Sequence, residues 1–381
     1  MQPAADLSNW RQSPQNRSTF RHLPSEIATA RVAAGRDGAS TFPKSAKSLD
    51  GFALRLPDGS TLDLEQFLGA TSTDAMVVLC DGELVYEAYR NGMAPNSRHV
   101  AMSATKAVIG LLTEMLAMDG AIELDAPVTK YIPEVADSPF AGATARHLLD
   151  MRVGVIFDEA QEKAYVRTGG WEPPGSEKMG MQAFFSRLRG PAREHGGPFR
   201  YHSANTDLLG WALERATSTK VQDLLSEKLW TQIAVDDAAL TLDWAGLARS
   251  AGGLCTSIGD LARLGRLLSA NGRLGQRQVI ASRIVDDLVS GGDRGAWTAG
   301  QWAEVFAPIS RTMSYRSGWY TVDGDLQLLF AMGAHGQNLF IDRANHIVIA
   351  KFSSWSQLTD ERALWLTHIA AAEIGRRLSQ A

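Results

Sequence analysis

Strand-like and helix-like hydrophobic periods divide this chain into a β-rich start, a helical middle and a β-rich end. Asp74–Leu79 and Glu83–Tyr89 are strand-like runs joined by Asp81-Gly82, a strong hairpin signal. An apolar helical run extends from Ala107 through Leu116, led in by Val100-Ala101-Met102 and stopped by Gly120. Leu124-Asp125-Ala126-Pro127-Val128 turns into a short segment ending near Pro133. From Ala143 to about Asp243 the pattern is mostly helical, with loop composition over Asp158–Gly180 and Pro191–Pro198. Short β-rich runs return at Tyr315–Val322, Leu326–Met332, Asn338–Ile341 and His346–Phe352, separated by turn signals such as Asp323-Gly324. A last helix is predicted from about Asp360 to Leu378. Acidic residues occupy its first turn and Arg376-Arg377 its last, as the helix dipole favours.

Strands from both ends flanking a helical middle predict an α+β fold, an antiparallel sheet flanked by helices with an all-helical subdomain inserted. The expected division is a polar, irregular lead-in over 1–50 wrapping the body, an α/β domain from 51–142 and 244–381, and a mostly helical subdomain over 143–243. The active site is expected in the cleft between them. A chain of 381 residues exceeds the usual size of one compact core, which suits this division.

Composition narrows the partners. With 45% apolar and 21% charged residues the chain reads as an ordinary globular protein. A net charge of -4 with scattered basic residues argues against nucleic acid or an anionic membrane. No apolar run approaches the length of a bilayer span. Met1-Gln2-Pro3-Ala4-Ala5-Asp6 lacks the basic and apolar regions of a secretory signal, so a cytoplasmic location is expected. Cys80 and Cys255, each in an apolar segment, read as buried free thiols. No His-Glu-x-x-His, P-loop, dinucleotide fingerprint or Gly-x-Ser-x-Gly elbow is present, so no metal and no cofactor is expected. The expected partner is a small-molecule amide or ester; a homodimer stays open.

The chemistry concentrates in three places. Ser103 would open the buried helix with Lys106 one turn later on the same face. Such a pair offers a hydroxyl, an amine to take its proton, and helix N–H groups for a developing oxyanion. The spacing alone equally fits a helix cap followed by an exposed lysine. About a hundred residues downstream Tyr201-His202-Ser203-Ala204-Asn205-Thr206-Asp207 leads from a Gly/Pro loop into an apolar helix. A tyrosine there can reach a cleft, where nearby cations would favour the phenolate and make it a proton shuttle; Ser203 or Asn205 could instead be a plain N-cap. Met332-Gly333-Ala334-His335-Gly336-Gln337-Asn338 stands between two strand-like runs, and its small residues would let a substrate approach the backbone. His335 also reads as a satisfied histidine in a strand turn, and Trp171 and Trp319 as core residues.

Taken together, Ser-x-x-Lys, Tyr-x-Ser and His-Gly-Gln in this order resemble the serine β-lactamase/penicillin-binding protein superfamily. The likeness is to the branch holding 6-aminohexanoate-dimer hydrolases, the nylon-oligomer amidases, and their carboxylesterase relatives. It extends from Trp10-Arg11-Gln12-Ser13-Pro14-Gln15-Asn16-Arg17 to Ser353-Ser354-Trp355. It also takes in Val128 to Glu134, Leu149-Asp150-Met151, Gly252-Gly253 and Asp260 to Arg266. The resemblance implies a β-lactamase/transpeptidase-like fold and a serine hydrolase working through an acyl-enzyme. Ser103 would be nucleophile, Lys106 general base and Tyr201 proton donor to the leaving group. The N–H groups of Ser103 and Ala334 would form the oxyanion hole. Ser203, His335, Gln337, Tyr165, Trp171 and Trp319 would contact substrate.

His335-Gly336-Gln337 stands where β-lactamases carry Lys-Thr-Gly, so the cation facing a β-lactam carboxylate is missing. The loop from Val153 to Trp171 is shorter than in the amidases. Their substrate-contacting tyrosine falls near Gln161, with Tyr165 close by, and an acidic residue falls at Val166, near Glu159 and Glu162. A slowly acylating penicillin-binding or sensor module, a β-lactamase and a D-amino-acid peptidase remain alternatives.

Overall fold

A computed structural model describes residues 4–35, 41–175, 177–191, 194–322 and 328–380. In chain order the elements that frame the site begin with strands β1 (Thr29–Val32), β2 (Thr73–Cys80), β3 (Glu83–Tyr89) and β4 (His99–Val100). Helices α1 (Thr105–Met118), α2 (Glu159–Thr168) and α3 (Ser203–Thr217) follow, then strands β5 (Ala238–Thr241) and β6 (Leu254–Thr256) and helix α4 (Ile258–Ser269). Strands β7 (Met313–Arg316), β8 (Trp319–Val322), β9 (Leu328–Gly333), β10 (Gln337–Asp342) and β11 (Ile347–Ser353) precede the closing helix α5 (Glu361–Gln380).

The main sheet has seven strands in the order β7-β8-β9-β10-β11-β2-β3, each antiparallel to its neighbours. The first hairpin inserts β2 beside β11, so the two ends of the chain share one sheet. Its turn, Asp81-Gly82, is left-handed at both residues, as a two-residue hairpin requires. Every residue of β2, β10 and β11 is buried, because helices cover both faces. Ala75, Val77 and Leu79 pack with α1 and α4, whereas Met76, Val78 and Cys80 pack with α5. Cys80 and Cys255 are buried free thiols. No helix among the described residues is long and apolar enough to cross a membrane.

The structure departs from the expected pattern at several points. The run Tyr315–Val322 is two strands, because Ser317 and Gly318 reverse the chain with φ of 48° and 87°. A Cβ at Gly318 would lie 2.3 Å from the Lys106 carbonyl, so this turn seats α1 closely. The lead-in is not irregular throughout: β1 joins β5, β6 and β4 in a second, four-stranded sheet, and Trp10 and Phe20 are fully buried. The regular elements described between 143 and 243 are helices joined by loops, apart from β5 at the end. The turn Asp323-Gly324 and the start of the run at Leu326 lie outside the described residues.

Candidate active site

Strand β4 delivers the chain to the site. After it, Met102 takes a left-handed φ of 47°, a strained setting for a side chain with a Cβ. Met102–Ala104 then forms a 3-10 turn, and the α-helix proper begins only at Thr105. Ser103 therefore sits in the tight turn ahead of α1 and not in the helix itself. It faces a cavity of about 310 Å³ lined by Met102, Tyr165, Trp171, Tyr201, Ser203 and Ala334, among others.

Lys106 lies inside the protein at 2% exposure. Its Nζ donates to Ser103 Oγ at 3.1 Å, to Ser203 Oγ at 3.1 Å and to the Ala251 carbonyl at 2.6 Å. Burial pulls its pKa down to about 7; Asp207 works against that shift and Arg249 adds to it. An amine so placed is neutral in a substantial fraction of molecules near pH 7 and can accept the Ser103 proton.

Tyr201 stacks on Trp302 with centroids 4.4 Å apart, and Lys106 Nζ lies 4.9 Å from its ring centre. Burial pushes its hydroxyl well above the ordinary tyrosine range, against the opposing effect of its hydrogen bond with Ser103. The expected phenolate is therefore corrected. Tyr201 is a neutral phenol, suited to giving a proton and not to resting as an anion.

On the opposite wall, Gly333 brings the end of β9 against the Ser103 backbone. A Cβ there would stand 2.5 Å from the Ala101 carbonyl and 2.9 Å from Ser103 N. Ala334 follows in a 3-10 turn and borders the cavity beside Ser103. The turn is tied from behind. Gln337 Nε2 donates to the carbonyls of Ala334 (3.1 Å) and Ser353 (2.8 Å), and Gln337 Oε1 accepts from Ser353 N–H at 3.1 Å. His335 has its N–H on the Leu358 carbonyl (2.9 Å) and Nδ1 2.8 Å from the Trp355 carbonyl.

The candidate substrate contacts separate accordingly. Ser203, Tyr165 and Trp171 border the cavity. The His335 ring and the Gln337 amide are buried behind it. Trp319 is buried too, with its indole N–H on the Ala107 carbonyl at 3.0 Å, where it braces α1. Gln161 caps α2 in a reciprocal box with Asp158, and Glu159 pairs with Lys163 in solvent. Glu162 and Val166 do reach the cavity, Glu162 carrying His202 Nε2 at 3.0 Å.

Three cavity residues carry no motif of their own, Arg249, Ala251 and Leu358, and Arg11 comes from the Trp10–Arg17 stretch. Behind them sits Asp207, whose one available signal was its place a turn after Ser203 on one helix face. Among the described residues no group of three His, Cys, Asp or Glu is placed to hold a metal ion.

An antiparallel sheet covered on both faces, with a buried Ser-x-x-Lys helix start facing Tyr-x-Ser, defines the β-lactamase/transpeptidase class of fold. The Beta-lactamase family model matches residues 63–373, and the chain belongs to that family. It is 34% identical over 357 residues to the 6-aminohexanoate-dimer hydrolase of Paenarthrobacter ureafaciens, across 92% of this chain and 88% of that protein. A Bacillus anthracis structure provisionally described as a 6-aminohexanoate-dimer hydrolase superposes with a TM-score of 0.88 at 26% identity, covering 100% of this chain and 99% of the other. EstCE1, a hydrolase with promiscuous acyltransferase activity, shares the fold at a TM-score of 0.58 and 13% identity, over 81% of this chain and 98% of its own.

Proposed function

We propose that this protein is a serine hydrolase that cleaves small esters and amides through an acyl-enzyme on Ser103. The observation that carries the proposal is Lys106 Nζ, 3.1 Å from both the Ser103 and Ser203 hydroxyls and depressed by burial to about 7. Lys106 takes the Ser103 proton as Oγ attacks the substrate carbonyl. The resulting oxyanion is held by the N–H groups of Ser103 and Ala334. On collapse Tyr201 gives its proton to the departing oxygen or nitrogen and recovers one from the Lys106 ammonium. Water then attacks the acyl-enzyme, delivering one proton to Lys106, and Ser103 leaves with it.

The substrate class follows from the cavity wall. With His335 buried and its Nδ1 on the Trp355 carbonyl, the position that carries the lysine of Lys-Thr-Gly in β-lactamases offers no cation to a β-lactam carboxylate. Esters have a better leaving group than amides and depend less on proton delivery. The expected order of kcat/KM is short nitrophenyl esters first, then 6-aminohexanoate dimer, the substrate named for the relative, with a chromogenic cephalosporin last. A cephalosporin ranking first would overturn this reading, and one burst of product without turnover would indicate a sensor. Ser103→Ala should abolish turnover by a factor on the order of 10^4 or more, with the Ser103→Ala/Lys106→Met double variant little worse, because the pair acts as a unit.

A further inference from the structure

We infer that Asp207 is a positioning residue for Lys106, holding the Ala251 peptide that orients the amine and, with Arg249, setting the charge around it. The inference rests on the reading of Lys106 as the base. Asp207 stands on α3 one turn beyond Ser203 and is fully buried. Its Oδ1 accepts the Ala251 N–H at 2.8 Å, while the carbonyl of the same residue receives the shortest hydrogen bond of Lys106, 2.6 Å. One residue thus couples the carboxylate to the amine. If Ala251 moves, Lys106 loses the acceptor that aims it between Ser103 and Ser203.

The other carboxylate oxygen completes the device. Asp207 Oδ2 accepts the Tyr165 hydroxyl at 2.5 Å and lies 3.3 Å from Arg249 Nε. The Arg249 guanidinium lies 5.2 Å from the Trp171 ring centre and 5.7 Å from that of Tyr165. Asp207 and Arg249 are the charged groups that act on Lys106, with opposite signs. Arg249 also feels Asp243 and Glu172, and Tyr165 feels Glu162. A buried ion pair is a poor way to gain stability, since desolvation offsets the attraction. Bonded to the partner of Lys106, it serves instead to place the amine and to adjust its proton affinity.

The test is the pH dependence of kcat/KM for a nitrophenyl ester, and of Ser103 modification by a fluorophosphonate, on the full-length protein. Asp207→Asn removes the anion that favours protonated Lys106, so the acid limb should move down by about one pH unit. Arg249→Met removes the opposing cation, so its limb should move up by a similar amount. A residue that merely packs would lower the amplitude without displacing two midpoints in opposite directions. Unmoved midpoints in folded variants overturn the inference. If near-UV circular dichroism shows Asp207→Asn unfolded, Tyr165→Phe replaces it. That change strips one donor from the carboxylate, and its limb should move up; a fixed limb overturns the inference. A wild-type profile flat below neutrality removes Lys106 as the base, and this inference with it.

Discussion

At the scale of single residues, the proposed mechanism rests on two groups whose proton affinity burial shifts in opposite directions. Lys106 is drawn from an ordinary value near 10.4 to about 7, so its working form gains population as pH rises through neutrality. Ester hydrolysis should therefore fall below about pH 7 while circular dichroism stays unchanged. A flat acid limb would show that another group is the base. Tyr201 is displaced upward and stays protonated throughout this range. Tyr201→Phe should cost a factor of roughly 10^2 to 10^4 in kcat, the range for one acid–base group. The loss should be steeper for 6-aminohexanoate dimer than for a nitrophenyl ester, whose leaving group needs no proton. Equal losses on both substrates would argue against Tyr201 as the donor.

At the scale of elements, the site is a meeting of three chain reversals. The 3-10 turn before α1 presents Ser103, the Ser317-Gly318 turn presses on the Lys106 carbonyl, and the turn after β9 presents Ala334. Gly333 permits the last of these, since a Cβ would collide with the Ala101 carbonyl and crowd Ser103 N. Gly333→Ala should push β9 away from Ser103 and lower kcat by about 10^2, the loss expected for one oxyanion donor. Unchanged kcat in a folded Gly333→Ala protein would separate the Ala334 N–H from catalysis. His335 belongs at this scale as well. Its left-handed backbone and bonded ring tie the Ala334 turn to the segment carrying Leu358, an exposed apolar residue at the cavity mouth.

At the scale of the whole molecule, the seven-stranded sheet holds a second buried amine behind the site. Lys351, opposite Met76 and Asn338, is 1% exposed and donates to Ser353 Oγ. Burial lowers its pKa to about 7, with Asp74 opposing. Between about pH 7 and 10.4 the unfolded chain then binds more protons at this lysine than the folded one, so stability rises with pH across that window. The gain at this one residue is on the order of 4 kcal/mol. Lys351→Met lacks this titrating amine. Urea midpoints should show wild type gaining on the variant as pH rises from 7 toward 10. Parallel curves would mean that Lys351 keeps its charge when buried.

Much of this was legible in the linear chain because it is encoded locally. Strand-like runs joined by Asp81-Gly82 marked the first hairpin, acidic residues at its start and Arg376-Arg377 at its end marked the last helix, and Gly120 marked the end of α1. The order of Ser103-x-x-Lys106, Tyr201-x-Ser203 and His335-Gly336-Gln337 picked out the residues that border the cavity or brace its wall. The run Tyr315–Val322 misled although it holds a local turn signal, Ser317-Gly318, at which the structure reverses the chain with two left-handed residues. The lead-in misled likewise, since β1 is a strand by virtue of its pairing with β5. Tertiary structure alone decided the protonation of Lys106 and Tyr201, the withdrawal of His335 and the reach of Asp207. Desolvation and charge at these groups come from segments as far apart as Lys106 and Ala251, 145 residues along the chain. Local periodicity records which face of an element is apolar; it carries no trace of which distant charge will be packed against it.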